Sequence, residues 1–249
     1  MGRKIIVVTA AYGADNVRDA GGQQAMLPVI AGAGADGVEI RRELFNDDEL
    51  KSLPTLARTI EQLGLLACYS APDALFTPDG MLNPMLPHYL AEAGTLNALW
   101  LKVSLGHFND KLQLDALRAL LDETGMTLVV ENDQTRCGQL APMQRFKAAC
   151  RVMDLPVTLT FDMGNWLWVG ESPEEAARHL APAVSYIHVK AAVAHQQHYR
   201  AVPPGNDDTR WQDLLDQLPA DAPRGIEFPL EGADLTAVTR HYVNLLRED

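Results

Sequence analysis

The sequence predicts an α/β protein with a single (β/α)8 barrel spanning residues 1–249. Three observations carry that expectation. Eight short β-rich runs alternate with eight helical stretches, and each helix serves as the crossover between parallel strands. The run after the first strand, Thr9-Ala10-Ala11-Tyr12-Gly13-Ala14-Asp15, holds neither GxGxxG nor GxxxxGK, so an open dinucleotide- or phosphate-binding sheet finds no support. Polar, chemistry-bearing residues end several strands in phase, as barrels arrange their functional face.

The elements follow in order. Ile5 to Val8 is the first strand, and a helical stretch from Gln23 to Ala33 runs into Gly32 and Gly34. Gly37-Val38-Glu39-Ile40 is the second strand, followed by a helix from Asp48 to Leu63 that Gly64 stops. Leu65 to Tyr69 is the third, with a helix from Pro84 to Ala93 ended by Gly94. Ala98 to Val103 is the fourth, with a helix from Lys111 to Glu123 closed by Gly125. The second half repeats the pattern: strand Thr127–Val130 with helix Pro142–Met153, and strand Val157–Phe161 with helix Pro173–Leu180. Strand Val184–Val189 with helix Thr209–Leu218, and strand Gly225–Phe228 with helix Leu235–Leu246, complete it. Proline near a helix start and glycine just past its end support several of these boundaries.

Composition narrows the function. With 21 Lys and Arg against 33 Asp and Glu, the chain carries a net charge of −12. That charge, with no Lys/Arg cluster, argues against nucleic acid as a partner. A 47% hydrophobic content excludes intrinsic disorder. The three cysteines, Cys68, Cys137 and Cys150, form no CxxC pair, which disfavours a disulfide framework or a thiolate zinc site. The N-terminal apolar run is shorter than a signal-peptide core, and no run approaches the ~18 residues of a membrane helix. A cytoplasmic protein acting on a small molecule is expected, with homo-oligomerisation left open.

The strand ends hold the chemistry. The second ends in Glu39, the fourth near Lys102, the fifth in Glu131, the sixth in Asp162 and the seventh in His188, while the eighth carries Glu227. An ionised group within an apolar strand is costly unless paired. Three carboxylates meeting at one barrel mouth would repel, and a divalent cation is the simplest remedy. One imidazole with three carboxylates suits Mn²⁺, Mg²⁺ or Co²⁺, and Zn²⁺ also fits. Taken singly, each has a plainer explanation: a strand-end carboxylate is often a cap or a loop salt bridge, and Glu39 has Arg41 and Arg42 as ready partners. Four ligand-type residues in phase on successive strands are hard to obtain as independent caps.

At Val130-Glu131-Asn132, Phe161-Asp162-Met163-Gly164-Asn165, Ile187-His188-Val189-Lys190 and Ile226-Glu227 the sequence resembles the xylose isomerase-like TIM barrel superfamily. Pro204-Gly205-Asn206-Asp207 before Trp211 resembles the family's glycine loop. The superfamily holds sugar and sugar-phosphate isomerases and epimerases, hydroxypyruvate isomerases, inosose and dehydroshikimate dehydratases, and DNA-repair endonucleases. The resemblance implies that Glu131, Asp162, His188 and Glu227 hold one divalent metal ion. It also implies that Glu131 and Glu227 are the acid-base pair of an isomerase or epimerase working through a metal-stabilised enediolate. Glu39, Lys102, Asn165 and Lys190 complete the set as candidate substrate contacts. Asn165 stands where many epimerases and the endonucleases have histidine, and with the net charge this turns the reading away from DNA repair. Ala194 stands where the epimerases tend to carry arginine, which leaves the substrate open. The same ligands would serve a dehydratase of a polyol ketone, and a non-catalytic ligand-binding barrel is the third alternative. Ser70–Leu82 and His195–Asp208 are expected as long loops, either lids over the mouth or plain surface loops; Trp166 and Trp168 read as helix-barrel packing or a subunit contact ahead of an apolar wall, and Arg41, Arg42 and Lys102 as candidate contacts to a phosphate or carboxylate.

Overall fold

The structure is a computed structural model that describes residues 2–109, 112–196, 198–205 and 210–248. Eight parallel strands close into a barrel: β1 (Ile5–Val8), β2 (Gly37–Arg41), β3 (Leu66–Phe76), β4 (Leu101–Gly106), β5 (Leu128–Glu131), β6 (Val157–Asp162), β7 (Val184–Val189) and the last barrel strand, Arg224–Ile226. Between β7 and that last strand lies an antiparallel hairpin, β8 (Ala191–His195) with β9 (His198–Val202), so the last barrel strand is β10. The ring order is β1-β10-β7-β6-β5-β4-β3-β2, each strand beside its sequence neighbour in the barrel.

Barrel strands are buried on both faces, which is why they read as apolar runs. Ile5, Ile6, Val7 and Val8 all have 0% exposure. The outer face packs on the helices, such as Leu53–Gln62, where Leu56 and Ile60 recur at helical spacing. The expected helix from Asp48 to Leu63 is two helices, Asp47–Lys51 and Leu53–Gln62. Asn46 caps the first through a capping box with Glu49, and Pro54 opens the second.

The interior is layered. Ile6, Cys68, Val129 and Tyr186 come from alternate strands β1, β3, β5 and β7, and with Trp100 they form a small cluster separate from the outer core. This is the stacking of alternate strands that fills such barrels. Side chains alternate faces along a strand, so two residues further on the same strands again point inward. Val129 is thus followed by Glu131, and Tyr186 by His188. On the other strands the inward series runs from Glu39 to Arg41, from Thr160 to Asp162 and from Gly225 to Glu227. Gly225 is required where it stands: a Cβ there would lie 2.4 Å from the Tyr186 hydroxyl and 3.0 Å from His188 Cδ2.

Two expectations are corrected. Ser70–Leu82 is largely strand: β3 continues to Phe76 after a register shift between Ser70 and Ala74, and Phe76 bridges back to Leu82. The region from His195 begins inside the hairpin, whose turn residue Gln196 has φ 54°. Asn206 to Thr209, which include part of the glycine loop, the end of the expected loop and the expected helix start, lie outside the described residues, as does Lys111.

Candidate active site

Glu131, Asp162, His188 and Glu227 meet at the C-terminal mouth of the barrel. Each offers one ligand atom, and those atoms all lie within 4.8 Å of one another. His188 Nδ1 is 2.7 Å from Glu131 Oε1, 3.2 Å from Glu227 Oε2 and 3.8 Å from Asp162 Oδ2. The other ring nitrogen, Nε2, lies 2.8 Å from Glu39 Oε2, which also accepts from the Tyr186 hydroxyl at 2.8 Å. With an ion in place of the Nδ1 proton, a His188 that donates from Nε2 would turn its Nδ1 lone pair toward the centre of the carboxylates. A carboxylate behind the imidazole is the usual second support of a metal-binding histidine.

Backbone donors orient Asp162. Its Oδ1 accepts from the Gly164 and Asn165 amides at 3.0 and 2.9 Å, which leaves Oδ2 for the centre. Asn132 fixes the strand end from the side. It donates to the Asp162 carbonyl at 3.0 Å and accepts from the Asp162 amide at 2.8 Å. Asn165 in turn donates to the Asn132 carbonyl at 2.9 Å and accepts from Gln134 at 3.1 Å.

Three cations are interleaved with the carboxylates. Lys102 Nζ donates to Glu131 Oε2 at 2.6 Å and lies 3.5 Å from Glu39 Oε1. Arg41 donates to Glu227 Oε1 at 2.9 Å and lies 3.6 Å from Glu39 Oε1. Lys190 Nζ stands 2.8 Å from Asp162 Oδ2 and 2.9 Å from Glu227 Oε2.

These partners set the protonation states. Burial works to raise the Glu131 carboxyl, but Lys102 and His188 outweigh it and hold it at about 2. Burial is likewise outweighed at Glu227, chiefly by Lys190 and His188, and its carboxyl lies well below the usual range. Burial raises Asp162, and Lys190 with His188 only partly offsets it. Burial disfavours a charged His188, yet Glu227, Glu39 and Glu131 hold it well above the ordinary histidine value.

Atoms without a hydrogen bond decide the fit to a cation. Glu131 Oε1, Asp162 Oδ2 and His188 Nδ1 are buried and make no hydrogen bond of acceptable geometry, although they crowd one another and Asp162 Oδ2 has Lys190 as an ion-pair partner. Buried polar atoms are ordinarily paired. Three of them aimed at one centre, with Glu227 Oε2 beside them, form an oxygen-rich donor set that could hold a divalent cation.

The structure places the remaining candidates as follows. Glu39 and Lys102, expected at the substrate, are 0% and 1% exposed and lie beneath the four. Asn165 is buried, with its amide engaged as above, while Lys190 borders the mouth at 8% exposure. Arg42 turns away to Glu92 at 2.8 Å and does not reach the centre. Trp166 is fully buried against Phe161, so it forms no wall at the mouth, whereas Trp168 faces Lys190 and Tyr199. Tyr186 was invisible in sequence, since a tyrosine inside a strand reads as core. Among the described residues no helix is long and apolar enough to cross a membrane.

No family model matches the sequence, and neither does any curated protein. Solved structures match the fold over nearly its whole length. An L-ribulose 3-epimerase is 16% identical with a TM-score of 0.70, covering 100% of this chain and 95% of its own. A 3-keto-D-glucoside 4-epimerase from E. coli is 16% identical with a TM-score of 0.66, covering 91% of this chain and 94% of its own. The probable 3-DHS dehydratase AsbF from Bacillus anthracis is 13% identical with a TM-score of 0.63, covering 98% of both chains. The chain has the fold of the xylose isomerase-like TIM barrels.

Proposed function

We propose that the protein is a divalent-metal-dependent isomerase or epimerase of a sugar, sugar phosphate or small hydroxy-carbonyl compound. The observation that carries the reading is the pair of glutamates. Glu131 and Glu227 stand at the ends of the fifth and eighth strands of the barrel, each with its outer oxygen held by a cation and its inner oxygen turned to the centre, where Glu227 Oε2 also meets Lys190.

Glu131, Asp162, His188 and Glu227 would hold the ion. Once bound, it would supply Lewis-acid stabilisation of the charge that develops when a proton leaves the carbon beside a carbonyl. The chain supplies the proton transfers. One glutamate takes the proton and the other returns one. Return to the opposite face of the same carbon gives an epimer, and return to the adjacent carbon gives the isomeric carbonyl. Lys102 and Arg41 fix the outer oxygen of each glutamate, so the carboxylate that reacts is already aimed. Glu39 and Lys102 serve from below as supports, and Lys190 and Arg41 are the cations that reach the mouth.

A dehydratase is the second reading, favoured by the dehydratase among the structurally similar proteins. It differs in one step: after the proton leaves, a β-hydroxyl departs as water with a proton from the second glutamate, and no proton returns to carbon.

One experiment tests both. The Mn²⁺-loaded protein is incubated in D₂O with ketoses, their phosphates and polyol ketones, and deuterium is located by NMR. Exchange at one carbon beside the carbonyl, with a new epimer or isomer, supports the first reading. An absorbing unsaturated carbonyl product supports the second. No exchange and no product with any class refutes both.

A further inference from the structure

The three cations around the site do not play the same part. Lys102 and Arg41 bind the outer oxygens, Glu131 Oε2 and Glu227 Oε1, which point away from the centre. Lys190 binds inner ones. Its ammonium lies 2.8 Å from Asp162 Oδ2 and 2.9 Å from Glu227 Oε2. Those same two oxygens stand 3.8 and 3.2 Å from His188 Nδ1. Lys190 therefore bridges two of the four groups that would hold a cation, through the atoms that would hold it.

The surroundings are shaped for this lysine. A Cβ on Gly164 would lie 2.8 Å from Lys190 Cγ and 3.1 Å from Cε, so only glycine lets the stem cross there undisturbed. The Trp168 ring faces the ammonium at 5.8 Å. Lys190 also borders a cavity of about 80 Å³ walled by Met163, Gly164, Trp211 and the Glu174–Arg210 ion pair. The side chain thus has a carboxylate pair on one side and an open space on the other.

We propose that Lys190 is a positioning residue that acts as a place-holder for the divalent cation. It keeps Asp162 and Glu227 at their working separation until the ion arrives, and then withdraws from the pair toward Trp168 and the cavity. The inference rests on the metal site proposed above. Two consequences follow from charge alone. An ammonium and a divalent cation sharing the same oxygens repel at a separation where Coulomb energies are large even in a partly screened site. Lys190 must then weaken cation binding. Without it and without the ion, Asp162 Oδ2 and Glu227 Oε2 face each other with only His188 Nδ1 beside them, so the unloaded protein loses stability. Withdrawal also links the two ligands in order. The ammonium becomes free to meet a substrate oxygen only after the ion has displaced it.

The test is a calorimetric titration of Mn²⁺ into chelator-treated wild type, Lys190→Gln, Lys190→Met and Lys190→Arg. We expect the two neutral variants to bind Mn²⁺ at least tenfold more tightly than wild type, and the arginine variant to stay within about threefold. Thermal midpoints should fall in the neutral variants without metal, and saturating Mn²⁺ should raise them by more than it raises wild type. If a neutral variant does not fold without metal, it is purified in Mn²⁺ and the rate at which a chelator extracts the ion is compared. Slower extraction than from wild type supports the proposal. Wild type that binds Mn²⁺, with neutral variants that bind it equally or more weakly, overturns the place-holder while leaving the metal site standing. Absence of Mn²⁺ binding in every protein overturns both.

Discussion

Glu39 offers the sharpest test of how the site is supported. It has no exposed surface, and one oxygen accepts from both His188 Nε2 and the Tyr186 hydroxyl at 2.8 Å. Its other oxygen lies 3.5 Å from Lys102 and 3.6 Å from Arg41. Glu39→Gln keeps the shape, and the amide oxygen still accepts from His188 and Tyr186. The amide NH₂ then faces two cations and finds no acceptor. Removing one partner of a buried charge pair typically costs about 3–5 kcal/mol. Here the loss is less, about 2–4 kcal/mol, because Lys102 keeps Glu131 and Arg41 keeps Glu227 and Glu43. For a chain of this size each kcal/mol moves the thermal midpoint by about 2–4 °C, so a fall of about 4–16 °C is expected. Losing the charge behind a metal-binding histidine weakens affinity about 10–100-fold. Scanning calorimetry and Mn²⁺ titration read the two effects separately. Tyr186→Phe is the control: it removes one neutral donor to the carboxylate, costs about 1.5–3 kcal/mol and leaves Mn²⁺ affinity within a few-fold. A Glu39→Gln protein that matches wild type in both midpoint and Mn²⁺ affinity would refute the support role.

Three further outcomes are expected. Glu131→Gln and Glu227→Gln each lower deuterium exchange at least ~10²-fold at saturating Mn²⁺ with the ion bound; exchange within a few-fold of wild type in both, with occupancy confirmed, would move the proton transfer to another group. Asn132→Ala strips the Asp162 amide and carbonyl of their buried partners and lowers stability by about 2–4 kcal/mol, read by urea denaturation, whereas a loss under 1 kcal/mol would mean water replaces both bonds. Burial would raise the Glu131 carboxyl, but Lys102 and His188 hold it at about 2, below its ordinary 4.5. A carboxyl depressed in the folded state contributes stability that is complete above pH ~4.5 and is lost as pH falls toward 2. Thermal midpoints measured across that window should fall more steeply in wild type than in Glu131→Gln, and parallel curves would contradict the assignment.

Strand positions were legible because a strand buried on both faces can be built from little but Ile, Leu and Val. β1 and β7 coincide with the runs read from sequence, as does the helix Pro173–Leu180, which starts on a proline. β3 could not be read past Tyr69. Its continuation crosses Pro72 with a shifted register and holds only because β4 runs alongside as far as Gly106. The hairpin was hidden for a local reason. Ala191 to Val202 is rich in alanine and histidine, lacks Asn-Gly or Asp-Gly, and turns at a glutamine in the left-handed region.

At the site, sequence revealed which residues are chemically costly but not how deep each one sits. A charge in an apolar strand announces itself wherever it falls, so Glu39, Lys102, Glu131, Asp162, His188 and Glu227 all drew notice. Depth depends on how strands are staggered around the ring, and no single strand contains that. The register sets Glu39 against Cys68, in the layer of the Tyr186 cluster, while Glu131 and His188 stand two residues further along their strands than Val129 and Tyr186. The same stagger decides whether a carboxylate meets the substrate or holds a ligand from behind. It also explains the three cations. A ring of four carboxylates, Glu39 beneath and three at the mouth, could not be buried with one imidazole alone. Lys102 and Arg41 compensate the lower part and the outer oxygens, and the one position left facing the centre falls to Lys190. By the proposal above, a site built in this way would be stable before it is loaded, and the incoming ion would have to displace one of the cations that make it so.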